Sequence, residues 1–246
     1  MSDDSSPPGS QATGLFPATM WSAISQAQAD NTSSALEGLS KLAHAYWRPL
    51  YIFLRQRGRD HETASDDVQG FFADLLSREF LSYASPEAGR FRSFLLASLQ
   101  RWLGKQANRA NRQKRGGGWE RVPLDFAEES DYPELIADEE PGHAFDRQWA
   151  LDVVERAVQR LHAAYEERGR SETFTLLRGT LPGGASLPAY EVLSVRTGMT
   201  EPALRKAVHD LRARFAEAIR QEIACTVQNP ADVDGEVRYL ATLLRG

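Results

Sequence analysis

A single cysteine, Cys225, stands among 246 residues, which excludes an internal disulfide and any zinc site built on cysteine. No apolar run reaches the roughly 18 residues that a membrane-spanning helix requires, so no membrane partner is expected. The opening MSDDSSPPGSQATG lacks a basic region followed by an apolar one; it is not a secretory signal and is expected to be a disordered leader over 1–17. These absences together predict a cytoplasmic chain.

Enzyme signatures are missing too. There is no GxxxxGK[ST], HExxH or GxSxG, and Gly116 to Gly118 lack the Lys-Ser/Thr that would complete a phosphate loop. The five histidines, His44, His61, His143, His162 and His209, lie far apart without ligand spacing. The adjacent acids Asp66–Asp67 and Glu128–Glu129 have no partner that suggests acid–base chemistry. A non-enzyme without metal or cofactor is the expectation.

Strand signals are nearly absent, and helix signals dominate. Apolar residues recur at helical spacing through Leu36, Leu39, Leu42, Tyr46, Leu50 and Phe53, where Pro49 is expected to kink or divide the helix. They recur at Ala64, Val68, Phe71, Phe72, Leu75 and Leu76, behind Asp60 as N-cap. A third helix is expected from about Phe91 to Arg112, with Phe94, Leu95, Leu99 and Trp102 on its apolar face. Phe145, Trp149, Val153, Ala157, Leu161 and Tyr165 mark a long amphipathic helix. A short helix capped by Ser171 and closed by Gly179 follows, and Val233, Val237, Leu240 and Leu244 suggest one more after Pro230.

The net charge is −5, yet it is unevenly spread. From Arg90 to Arg115 there are eight Lys or Arg and no Asp or Glu; from Val122 to Asp146 there are nine Asp or Glu and no Lys or Arg. On a helix, Arg101, Lys105, Arg109 and Arg112 line one face, and Lys114 and Arg115 continue the row. Such a row neutralises phosphates; about six contacts would make log K fall against log salt with a slope of roughly −5. Phe80, Tyr83 and Phe91 sit in or beside the preceding loop, where aromatics next to cations can stack unpaired bases. A solvated face is the other reading, although such faces usually mix both signs. The acidic stretch reads as an irregular linker.

LPAYEVLSVRTGMTEPALRKAVHDLRARF has the spacing of a helix-turn-helix. Gly198 suits the left-handed residue past the first helix, Thr200 can cap the second, and Pro202 falls in its first turn. Leu204, Val208, Leu211, Phe215 and Ile219 form the expected buried stripe. Glu201, Arg205, Lys206, His209 and Arg212 face the other way, near the end that a recognition helix presents to the major groove. A plain helical hairpin has the same spacing.

In this order the segments resemble a bacterial RNA polymerase sigma factor of the extracytoplasmic-function (ECF) type. TASDDVQGFFADLL resembles the polymerase-binding segment of sigma domain two, FRSFLLASLQRWLGKQANRANRQKR its strand-opening helix that reads the minus-ten element, and the helix-turn-helix domain four. The resemblance implies an all-α protein of two small domains: a domain-two-like part over 18–115, an acidic linker over 116–142, a domain-four-like part over 143–229 and a helical extension over 230–246. It implies core RNA polymerase and promoter DNA as partners, with an anti-sigma protein as a further candidate. Asp66 and Gln69 match positions that touch the polymerase, and Ala64, Val68 and Phe72 match core positions. Gly70 stands where the family usually has glutamate, and Ala207 and Asp210 where it often has basic residues. The linker, with Glu128, Glu129, Glu139 and Glu140, would thread basic polymerase channels, or serve solubility alone. A stand-alone helix-turn-helix regulator is the other functional class, but it leaves the separate basic helix without a job.

Overall fold

Helix α1, Ser33–Gln56, runs unbroken through Pro49. Proline withholds an N–H from the carbonyl of Ala45 and costs about 3 kcal/mol inside a helix. Leu50, Tyr51, Ile52, Phe53 and Leu54 are all buried immediately after it. At about 1.5–3 kcal/mol for each large apolar side chain, that burial outweighs the defect, so the expected division does not occur.

The structure, a computed structural model, describes residues 33–75, 90–112, 136, 138–184, 188–227 and 229–245. All regular structure among these residues is helical. Helix α2, His61–Leu75, starts where the sequence places it: Thr63 N–H donates to Asp60 Oδ1 at 2.7 Å. That backbone hydrogen bond holds the Asp60 carboxyl below its usual range. Helix α3, Phe91–Arg112, has the predicted bounds, and Phe94, Leu95, Leu99 and Trp102 are buried as expected.

Helix α4, Pro141–Glu166, begins inside the stretch expected to be irregular. Glu140 caps it by accepting from His143 N–H at 2.9 Å, with Pro141 in the first turn where no N–H is needed. Helix α5, Ser171–Leu177, runs into a 3₁₀ turn, Arg178–Thr180. Arg170 holds its cap position without a side-chain hydrogen bond, so Ser171 is the first helical residue and Gly179 lies within the turn that extends it. Helices α6, Tyr190–Thr197, and α7, Glu201–Ala224, form the hairpin, and α8, Val233–Leu243, closes the described chain.

Helix α4 is the spine. It packs along α1 on one side and α7 on another, while α2 rests on α1 and α3 on α2. Helix α8 lies against both α4 and α7. The apolar side chains of the two helical blocks therefore belong to one continuous core, from Leu42, Leu50, Phe71 and Leu99 through Phe145, Trp149 and Val153 to Leu211, Ile219 and Leu240. Most of the expected linker, residues 116–135, lies outside the described residues.

Candidate nucleic-acid interface

The basic helix divides its cations between two tasks. Arg101 and Lys105 are exposed one turn apart on α3, on a face turned away from the buried Leu95 and Leu99. Arg109 and Arg112 continue the helical register, but their side chains are outside the described part. Phe80, Tyr83, Lys114 and Arg115 lie outside the described residues.

Phe91 is not available to a base. It is fully buried, 5.4 Å from the Tyr46 ring and 6.1 Å from the Phe94 ring, centroid to centroid. The start of α3 must bury its first apolar residue against α1, and this takes Phe91 out of any base-receiving loop.

Arg92 is turned inward, and Arg90, itself exposed, reaches the same cluster. The Arg92 side chain is only 5% exposed. Its Nε donates to Asp146 Oδ1 at 2.9 Å, and its guanidinium also pairs with Glu236 of α8, a residue 1% exposed. The same guanidinium lies 4.6 Å from the ring centroids of both Trp149 and Tyr239. Tyr239 donates its hydroxyl to the other Asp146 oxygen at 2.7 Å. Burial, then this bond to Asp146, raises the Tyr239 phenol above its usual range. Arg90 Nε stands 2.6 Å from Glu236 Oε1. The sequence held a signal for this cluster: Arg92 shares the helical stripe of Leu95 and Leu99, and Glu236 that of Val233 and Leu240. Opposite charges on two apolar stripes can be buried only together.

On α2, Ala64, Val68 and Phe72 are buried, Asp66 is exposed and Gln69 half-buried. Gly70 faces α3, where an added Cβ would meet the Trp102 ring at 3.2 and 3.3 Å. Of the linker acids, Glu139 and Glu140 are committed to the start of α4. Burial alone would raise the Glu139 carboxyl, but donors from Arg147 at 2.9 and 3.0 Å, with His143, hold it below its usual range. Glu128 and Glu129 lie outside the described residues.

The hairpin has helix-turn-helix form. Gly198 adopts φ 67° past the end of α6, and Thr200 occupies the cap position of α7 without a side-chain hydrogen bond. Leu204, Val208, Leu211 and Ile219 are buried and Phe215 partly so. Glu201, Arg205, Lys206, His209 and Arg212 are all exposed. Two of these cations are held along the helix: Arg205 by Glu201 at 2.6 Å, which raises its pKa, and Lys206 by Asp210 at 2.7 Å. Such exposed pairs are screened by solvent, contribute little, and can exchange for a phosphate. On the opposite flank of α7, a shallow cleft is lined by Tyr165, Arg168, Arg170 and Arg214, a basic cluster the linear sequence does not reveal.

Among the described residues no helix is long and apolar enough to cross a membrane. No family model, curated protein or solved structure matches this chain.

Proposed function

We propose that the chain is a sigma factor of the extracytoplasmic-function type, which binds bacterial core RNA polymerase and directs it to promoter DNA. The observation that carries the reading is the presence of two separate cationic helix faces, Arg101 and Lys105 on α3 and Arg205, Lys206, His209 and Arg212 on α7, in the order the resemblance implies. In this reading Asp66 and Gln69 meet the polymerase. The α3 row, continued by Arg109, Arg112, Lys114 and Arg115, holds phosphates near the start site. Phe80 and Tyr83 are candidates to stack an unpaired base, a step that costs a few kcal/mol of unpairing and is offset by stacking. The α7 face enters the upstream major groove. Two modest grips tethered to one polymerase gain from effective concentration and need not be strong singly. The polymerase partnership places the protein in the cytoplasm, and an anti-sigma protein would be a natural antagonist.

One observation favours a second reading. Helices α1 and α4 share one core, which suits a stand-alone helix-turn-helix regulator that works as a single body. Promoter-dependent transcription by purified core polymerase, with and without the protein and with an Asp66→Arg, Gln69→Ala variant, separates the two. New start sites that vanish with the variant support the sigma reading. Unchanged transcription, together with duplex binding by the protein alone, would establish the regulator instead.

A further inference from the structure

We propose that α8 is an autoinhibitory strap that competes with nucleic-acid phosphate for the first cations of the basic segment. The inference rests on α3 being a nucleic-acid-binding helix. Its basis is where the segment's charges go. Arg90 lies three helical turns before Arg101, nearly in line with the row, yet its guanidinium is held by Glu236. Arg92 is held by the same carboxylate and by Asp146, and is enclosed between Trp149 and Tyr239. The acids Glu236 and Asp146 thus balance the two cations, and α8 supplies both one acid and one of the enclosing rings.

The strap is fastened on its outer side by an exposed pair, Arg220 with Asp234, and by the half-buried Val233 and Val237 against the core. Its inner side is fastened by Leu240 and Leu243. Phosphate oxygens are the natural competitors of Glu236, since they offer the same paired acceptors to a guanidinium. Strap release and polyanion binding are then linked: each favours the other by the same factor. Closed, α8 keeps the start of α3 fixed against α4. Open, it adds Arg90 to the row and loosens α3 from the second block, while Arg92 keeps Asp146 and Trp149 of α4.

The test uses the full chain and a duplex DNA with a single-stranded extension. Hydrogen exchange of the α8 amides should rise when the DNA is added to the wild-type protein. Glu236→Gln should bind that DNA several-fold more tightly, with a salt slope steeper by about 1, for the released Arg90. Asp234→Ala, which loosens only the exposed anchor, should move affinity the same way by less. Glu166→Gln, an exposed residue at the far end of α4, carries the same charge change and should leave the slope unaltered. A folded Glu236→Gln protein with the slope of Glu166→Gln overturns the strap; should Glu236→Gln fail to fold, an Asp234→Ala protein with wild-type affinity and unchanged α8 exchange overturns it. Transcription with core polymerase is scored on the same proteins. A strap that opens in proteins that never support initiation leaves the strap standing and removes the sigma reading. Initiation without any change in slope does the reverse.

Discussion

Trp102 donates its indole N–H to Asp74 at 2.6 Å, and the bond pins the ring over Gly70. Phe71 holds the same ring from the side at 6.2 Å between centroids. A methyl at position 70 must therefore displace a ring that has no freedom to yield. Overpacking of this kind costs about 1–3 kcal/mol, while replacing a helical glycine returns about 1 kcal/mol of propensity. The expected balance for Gly70→Ala is a loss of about 1 kcal/mol in urea unfolding. In a Trp102→Leu background the same change should become neutral or stabilising, since the opposing ring is gone. A glutamate at this position, usual in the family the sequence resembles, should be tolerated worse than alanine.

Asp152 gives a pH dependence of known sign. It is buried on the α1 side of α4 and accepts from Gln148 at 2.8 Å, with Arg48 at 3.5 Å. Burial raises its pKa to about 6, from 3.8 in an unfolded chain. The folded state thus binds the proton more tightly, and this group's contribution falls as pH rises from about 4 to 6, then stays level. The penalty above pH 6 is on the order of 3 kcal/mol. Asp152→Asn keeps an acceptor for Gln148 and is expected to stabilise the protein above pH 6 by about 1–3 kcal/mol. Urea midpoints between pH 4 and 8 should show that gain shrinking toward pH 4. Asp60, Glu140 and Asp210 have lowered carboxyls and work in the opposite sense, losing stability as acid protonates them.

Gly198 has open space where a Cβ would sit, so its substitution isolates backbone strain. With φ at 67°, Gly198→Ala should cost about 1 kcal/mol in thermal unfolding. Any loss of DNA affinity beyond that must come from a changed angle between α6 and α7. Circular dichroism melts and binding isotherms on one variant separate the two effects.

Arg212 is exposed on the α7 face. Arg212→Ala should leave the melting temperature within about 1 °C of wild type, as surface changes usually contribute little. If it meets a phosphate, the salt slope of DNA binding by the polymerase complex should shrink by about 1. An unchanged slope would remove Arg212 from the interface.

Arg92→Ala should be the most damaging single change among the arginines. It leaves the buried Glu236 with Arg90 alone and Asp146 with Tyr239, and breaking a buried pair costs about 3–5 kcal/mol. Arg92→Met with Glu236→Gln should recover a large part, since one buried charge of each sign leaves together. Chemical unfolding of the two proteins tests the coupling.

Local signals carried much of this architecture. Asp60 before His61, the bounds of α3 and the glycine after Thr197 are decided within a few residues, by capping geometry and apolar spacing. What the linear reading missed depends on distant partners. Pro49 stays inside α1 because the residues after it are buried against other helices. Phe91 looks like a loop aromatic until α1 supplies Tyr46. Arg92 counts as one more cation of a basic row until α4 and α8 bring Asp146 and Glu236 to it. The joining of both blocks through α1 and α4 has no local signature, since Arg48 meets Glu155 across 107 residues. The same holds for the arginine cleft, which needs the α4–α5 turn and α7 side by side.

Glu236 follows α3 in the chain, and that order has a consequence for synthesis. A ribosome delivers α3 long before α8, and domains begin to fold from the N-terminal side as they emerge. Until α8 is made, Arg90 has no Glu236 to meet and Arg92 has only Asp146, so the nascent chain passes through a stage in which its basic segment is less neutralised than after α8 docks. If α8 is the strap proposed above, the brake arrives after the helix it restrains.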